Sequence, residues 1–139
     1  PVDPGSKASG SSLSLGSPLE NLEVWQDARV IRNGLHALAQ TLPEYERSQL
    51  GLRMVKLSRR VTGQIARGLG AGLRSQECLA CLRQARSSLD EVLEGLDTAR
   101  SGRLLATSDC RAVTLRIQQG AGLLSNYLRF LEARTREEG

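Results

Sequence analysis

"CLACLRQARSSLDEVLEGLDTA", residues 78–99, is the most regular apolar pattern in the chain. Apolar or small residues recur at alternating steps of four and three, from Cys78 through Leu82 and Leu89 to Ala99. This spacing draws one stripe along an α-helix, and such a stripe is typical of the seam that a helix presents to a bundle or a coiled coil. The segment therefore predicts a long helix that packs lengthwise on other helices.

Three further segments repeat the same kind of stripe. We expect a first helix from Ser17 or Asn21, a second from about Glu44 or Ser48 to about Gly68, and a fourth from Thr107 or Ser108. The predicted seam of the first helix is Leu22, Trp25, Ala28, Ile31, Leu35, Leu38 and Leu42. That of the second helix is Leu50, Met54, Leu57, Val61 and Ile65. That of the fourth helix is Cys110, Val113, Ile117, Gly120, Leu124, Tyr127 and Leu131.

Short connections join these helices. Gly68, Gly70 and Gly72 allow a tight reversal, Ser75 is a good cap for the third helix, and Gly102 is expected to end it. Short connections make consecutive helices antiparallel. The predicted fold is all-α, an antiparallel up-down-up-down four-helix bundle over residues 19–137. Residues 1–18 are rich in Gly, Ser and Pro, and we expect a disordered tail there.

The composition indicates acidic partners and does not indicate a membrane protein. The net charge is +4 and the sequence pI is about 9.4. Of the 19 basic residues only two are Lys, so the positive charge is carried almost entirely by Arg, which pairs bidentately with phosphates and carboxylates. No apolar run reaches the ~18 residues that a membrane span requires. Three cysteines, an odd number, do not suggest a disulfide framework and fit a reducing cytoplasm.

Catalytic equipment is not visible in the sequence. Cys78 and Cys81 form a single C-x-x-C, without the further ligands that a structural zinc needs. Cys78 and Cys110 are interpreted as small core residues. The glycine-rich stretch lacks the preceding strand and the following Lys-Ser/Thr of a phosphate-binding loop. His36, next to the seam residue Leu35, is expected to border the core. We predict a protein that is not an enzyme, with no cofactor and no metal.

A basic stretch provides the candidate functional site. Between Arg47 and Gln76 the chain has no acidic residue. The candidate residues are Arg53, Lys56, Arg59, Arg60, Arg67 and Arg74. Steps of three, four and seven put Arg53, Lys56, Arg60 and Arg67 on one ridge beside the apolar seam of the second helix, with Arg59 adjacent. A ridge of this kind can neutralise the phosphates of RNA or DNA. Alternatively, it pairs with acids such as Glu91 and Glu94 of a neighbouring subunit. Aromatic residues are not interleaved with it, which disfavours base stacking.

The chain also resembles a bacterial family of four-helix bundle proteins, first noticed as products of intervening sequences inside large-subunit rRNA genes and often labelled as a ribosomal protein, S23. The family's "L-x-V-W-Q-x-A" phrase is similar to residues 22–28, and its "N-I-A-E-G-x-G-R" phrase is similar to residues 64–71. A following pattern resembles Ser75, Leu82, Ala85, Ser88, Leu89 and Glu91. The chain departs from the family where Arg67 replaces a Glu, Gln64 an Asn and Thr62 a Pro.

The resemblance implies an antiparallel four-helix bundle that assembles as a ring-like homopentamer. A more distant similarity, to the accessory variability protein of diversity-generating retroelements, implies binding to nucleic acid or to a partner protein. The family supplies no catalytic residues to carry over. Together, the residues and the resemblance predict an oligomeric, non-enzymatic bundle whose partners are further copies of itself, RNA or DNA, or another protein.

Overall fold

Four long helices make up the protein. A computed structural model describes the backbone of residues 18–138 and the side chains of residues 23–137. The helices are α1 (Pro18–Ala39), α2 (Leu52–Gly70), α3 (Gln76–Ser101) and α4 (Thr107–Glu138), and the described residues contain no strand. The all-α four-helix prediction is confirmed. The predicted tail lies outside the described residues, apart from Pro18, which begins α1.

Each helix packs against two others. α1 contacts α2 and α4, and α3 contacts the same two helices, so sequential neighbours are adjacent around the bundle. The α3 seam from Cys78 to Ala99 is buried throughout. Leucine dominates the core, since Leu35, Leu82 and Leu131 are fully buried. Unpaired polar atoms are absent from the buried side chains that the structure describes.

The segment before α2 is helical but irregular. A short helical turn, Glu44–Glu46, leads into a π-helical turn, Arg47–Gly51, before the regular α-helix starts at Leu52. Gly51 is buried at this point, where a Cβ would lie 3.1 Å from Leu42 Cδ1. The π-helical turn thus places Gly51 against the end of α1. The sequence predicted a helix from about Glu44, but not this change of pitch.

The connection between α2 and α3 uses its glycines in two different ways. Of the glycines predicted to make the reversal, Gly72 has a positive φ, 101°, whereas Gly68 and Gly70 lie within α2. A Cβ at Gly68 would lie 3.1 Å from Cys81 Cβ and 3.2 Å from the Cys78 carbonyl oxygen. Gly68 therefore permits close packing of α2 on α3, and the reversal depends on Gly72.

Both ends of α3 have well-defined caps. Ser75 Oγ accepts a hydrogen bond from the Cys78 backbone N–H at 3.0 Å, as predicted. At the other end the Leu104 N–H donates to the Ala99 carbonyl at 2.8 Å and the Arg103 N–H donates to Arg100 at 3.0 Å, a Schellman motif. The left-handed residue of this motif is Arg103, with φ 59°, rather than the expected glycine.

The three cysteines are free and buried, in agreement with the interpretation of Cys78 and Cys110 as core residues. Burial is the main cause that raises the pKa of the Cys78 thiol to about 11, with a further contribution from Cys81. A thiol with so high a pKa is a poor nucleophile at neutral pH. Among the described residues, no helix combines the length and the apolar character that a membrane span requires.

Candidate nucleic-acid interface

The basic residues of α2 lie opposite its buried face. Met54, Leu57, Val61 and Ile65 form the buried seam, as predicted. The candidate residues on this helix are all exposed; they are Arg53, Lys56, Arg59, Arg60 and Arg67. One hundred degrees of rotation per residue puts Arg53, Lys56, Arg60 and Arg67 on one arc, which we call the cationic ridge. Arg59 lies about 100° from Arg60, on the other flank.

Arg74 is also exposed but does not continue the ridge. The spacing predicted a ridge of Arg53, Lys56, Arg60 and Arg67 only, and α2 ends at Gly70, before Arg74. Arg74 lies in the turn that follows. The structure thus brings five of the six candidate residues together on α2 and separates the sixth from them.

Few of these basic residues form ion pairs within the part of the protein that the structure describes. Within the described residues, Arg53, Lys56, Arg59 and Arg60 form no ion pair. Arg67 Nε lies 3.5 Å from Glu77 Oε2, and both side chains are more than half exposed, so this pair contributes little to stability. Within the described residues of one chain, these basic side chains are thus exposed, and ion pairs offset little of their charge.

The surroundings of the two flanks of α2 differ. Towards α3, Gln64 Nε2 donates a hydrogen bond to Gln84 Oε1 at 3.2 Å, and Arg60 lines a surface groove together with Glu91. Towards α1, Arg59 and Val55 line a separate groove of about 340 Å³. The α1 residues of that groove are Arg32, Asn33 and His36. We call it the α1–α2 groove.

Sequence reasoning missed the contribution of α1. It interpreted His36 as a residue that borders the core, but His36 is exposed and lines the α1–α2 groove. The sequence does contain a signal for this polar stripe. It lies away from the apolar seam of α1, at steps of three, one and three, and consists of Arg29, Arg32, Asn33 and His36. The sequence does not say which flank of α2 such a polar stripe adjoins.

Three acids of α3 and α4 have arginine partners outside the basic surface. Arg83 joins α3 to α4 through Glu132 Oε2, which accepts from Arg83 Nη2 at 2.7 Å. On α3 itself, Arg86 pairs with Asp90 and Arg100 pairs with Asp97, each at 2.6 Å. No three His, Cys, Asp or Glu side chains converge as a metal site in the part of the chain that the structure describes. These contacts are structural links between and along helices.

Comparison with known proteins identifies the family. The family model for the 23S rRNA-intervening sequence protein matches residues 20–126. The chain belongs to this family. The match covers α1, α2, α3 and the first part of α4, and therefore includes both the cationic ridge and the α1–α2 groove. No curated protein matches the chain. The more distant similarity to the retroelement accessory protein stays a prediction.

In this member of the 23S rRNA-intervening sequence protein family, the two phrases that resemble the family lie in α1 and at the end of α2. Residues 22–28 lie in α1, and residues 64–71 form the end of α2 and the residue after it. The first glycine of the second phrase is Gly68, which packs against the first turns of α3. Arg67, where the phrase has Glu, is exposed beside it. The departure from the family phrase thus changes surface charge and leaves the packing contact in place.

Proposed function

We propose that this chain is a non-enzymatic bundle protein that binds the phosphate backbone of RNA or DNA through the basic surface of α2. One observation carries the proposal. Arg53, Lys56, Arg59 and Arg60 are exposed and form no ion pair within the described residues. A phosphate backbone would supply the anions, and its bound counterions would be released into solution on binding.

The surroundings of the ridge favour contact with phosphates rather than with bases. Stacking on bases needs exposed aromatic rings. Trp25 packs against the core and Tyr127 is buried, while the exposed Tyr45 precedes the π-helical turn and is not part of α2. Arginine, by contrast, binds a phosphate through two parallel N–H groups. The proposed recognition therefore depends on charge and spacing and has little sequence preference.

Charge reversal on α2 tests the proposal. The variant Arg53→Glu/Lys56→Glu/Arg60→Glu is compared with Arg111→Glu/Arg129→Glu/Arg136→Glu, which changes the net charge equally at exposed positions of α4. We expect the α2 variant to lose binding to duplex RNA and DNA at low salt, because three phosphate contacts are replaced by repulsion. The α4 variant retains most of the affinity. Equal affinities for the two variants and the unaltered chain would refute the proposal.

A second candidate function is self-assembly or protein interaction through the same surface. Glu91 and Glu94 have no ion pair within the described residues, and Glu94 is exposed, so α3 offers carboxylates that a basic ridge on a neighbouring copy can meet. The family resemblance implies a homopentamer, and the ridge would then contribute to contacts between subunits. A partner protein with an acidic face could use the ridge in the same way.

Light scattering separates this candidate from nucleic-acid binding. If the ridge builds the assembly, the mass of the unaltered chain is a multiple of the 15.1 kDa protomer and the α2 charge-reversal variant dissociates. Adding Glu91→Lys/Glu94→Lys to that variant is then expected to restore the assembly, since the charges are exchanged. An unchanged mass in the α2 variant, combined with lost RNA binding, would leave nucleic-acid binding as the function of the ridge.

A further inference from the structure

Carboxylates accompany the ridge on the α3 side of α2. Arg60 shares its groove with Glu91, Arg67 pairs with Glu77 at 3.5 Å, and Arg53 shares a cleft with Glu46. Each of these acids reduces the positive potential at the neighbouring guanidinium. A phosphate that approaches this flank is therefore attracted by the arginines and repelled by the acids beside them.

The α1 side of α2 has a different charge distribution. None of the residues that line the α1–α2 groove is acidic, and two of them are arginines. Arg32 and Arg59 form no ion pair within the described residues. The α1 carboxylates Glu23 and Asp27 lie on another face of that helix, because they are about 120° and 160° from Arg29 around its axis.

Arg32 is the more informative of the two arginines. Arg32 is half-buried, whereas the unpaired arginines of α2 are exposed. A cation beside protein of low dielectric attracts an anion more strongly than a fully solvated cation does. In the described residues no carboxylate pairs with Arg32. The groove thus has the features of an anion site, with Arg32 from α1 and Arg59 from α2 on its walls and Val55, 8% exposed, among its lining residues.

We propose that the α1–α2 groove, through Arg32 and Arg59, is the principal phosphate-binding site for a polynucleotide backbone, and that the ridge is secondary. This inference rests on the proposed function and specifies where its main contact is made. Asn33 can donate a hydrogen bond to a phosphate oxygen, and the imidazole of His36 can do the same. Arg32 and Arg59 line one groove from two different helices, so each guanidinium can offer a bidentate contact to the same stretch of backbone.

The test compares two matched pairs of neutralised arginines. Arg32→Gln/Arg59→Gln alters the groove, and Arg60→Gln/Arg67→Gln alters the ridge by the same net charge. Binding of a labelled duplex RNA of about 20 base pairs is measured by fluorescence anisotropy over a range of salt concentrations. For the groove variant we expect a salt slope shallower by about 1.8, at about 0.9 per lost phosphate contact. The ridge variant is expected to change the slope by less than half as much.

The outcomes distinguish this inference from the proposed function. If the unaltered chain binds no RNA or DNA, the proposed function fails and the inference fails with it. If the unaltered chain binds and only the ridge variant weakens, the inference alone is overturned. Equal weakening of the two variants would also overturn it, since the groove would then have no special role.

An independent readout comes from His36, which is the single histidine in the sequence. Protein purified without a histidine tag gives one set of imidazole proton signals in an NMR spectrum. If phosphates occupy the groove, duplex RNA shifts these signals in the unaltered chain and in the ridge variant, but not in the groove variant. RNA that binds with unchanged imidazole signals would contradict occupation of the groove. Circular dichroism confirms that each variant remains helical.

Discussion

Gly120 determines how closely α4 approaches α1. A Cβ at this position would collide with the Asp27 carboxylate and would lie 2.8 Å from Ile31 Cδ1. The Asp27 carboxylate is kept near the crossing by Arg116, whose Nε lies 3.2 Å from Asp27 Oδ1. The sequence placed Gly120 on the seam of α4 by spacing alone. The structure supplies the reason, because α1 side chains occupy the space that a larger residue would need.

Gly120→Ala is expected to lose most of the ~0.5–1 kcal/mol that alanine normally adds to a helix, because the Asp27 carboxylate and Ile31 Cδ1 must move to admit its Cβ. The control is Gly122→Ala in the same helix, where an added Cβ meets nothing within 4 Å. That control is expected to stabilise by about 0.5–1 kcal/mol, because alanine is the better helix former. Urea unfolding measures both changes. A Gly120→Ala variant as stable as Gly122→Ala would contradict the close approach of α1 and α4.

Asp27 makes stability depend on pH. Burial raises the pKa of its carboxyl above the ordinary 3.8, and this exceeds the opposing effect of Arg116. The folded state therefore holds the proton more tightly than the unfolded state. The contribution of Asp27 to the free energy of unfolding falls as pH rises from about 3.8 through the raised pKa, and is constant above it.

Asp27→Asn removes this dependence. We expect the stability of the variant, relative to the unaltered chain, to increase with pH across that window and then to level off. Urea unfolding of both proteins from about pH 3 to about pH 8 measures the difference. If the relative stability of Asp27→Asn decreased with rising pH instead, attraction to Arg116 would outweigh the cost of burial.

At the scale of the helices, the end of α3 contains a residue in an unfavourable conformation. Arg103 occupies the left-handed position of the Schellman motif, where glycine is usual. The left-handed region costs a non-glycine residue roughly 1–2 kcal/mol. The adjacent Gly102, with φ −82°, does not need its conformational freedom. The glycine therefore lies one position before the left-handed site, and Arg103 occupies that site instead.

Arg103→Gly is expected to stabilise the protein by about 0.5–1 kcal/mol, since relief of the left-handed residue exceeds the entropy that glycine adds to the unfolded chain. Arg103→Ala is the matched control, because it removes the same side chain but keeps the left-handed conformation. Thermal unfolding compares the two. Equal stability of Arg103→Gly and Arg103→Ala would show that the backbone conformation carries no cost here.

Regular helices were predictable because each one shows its seam directly in the sequence. The α3 stripe from Cys78 to Ala99 is buried as expected, and Ser75 caps the helix as expected. Features that depend on a second helix were not predictable. Gly68 resembles a turn residue until its contact with Cys81 is seen, and the π-helical turn Arg47–Gly51 reflects packing against Leu42.

The candidate site was predictable to the same extent. Basic residues of α2 were placed on an exposed surface by their spacing, and the structure agrees. Arg74 was predicted beyond the ridge, and it lies after the end of α2 at Gly70. The role of Arg32 and His36 could not be inferred, because the angle between the polar stripe of α1 and the flank of α2 is a property of the packed pair. Helical spacing within one segment contains no information about that angle.

At the scale of the whole molecule, the bundle separates its charges. Some acids and arginines of α3 and α4 are joined in pairs such as Arg83–Glu132, whereas Arg32 of α1 and most of the basic residues of α2 have no such partner in the described residues. The net charge of the whole chain is +4, and residues 47–76, which include α2, contribute basic residues and no acid to it. This asymmetry is the physical basis of the proposed binding to a polyanion.

The salt dependence of RNA binding by the unaltered chain tests this account most directly. If about four to five basic side chains contact phosphates, the logarithm of the association constant falls linearly with the logarithm of the salt concentration, with a slope of about −4. Anisotropy titrations of one duplex RNA between about 50 and about 200 mM salt provide the slope. Binding that does not change with salt, or no binding at the lowest salt, would contradict the account.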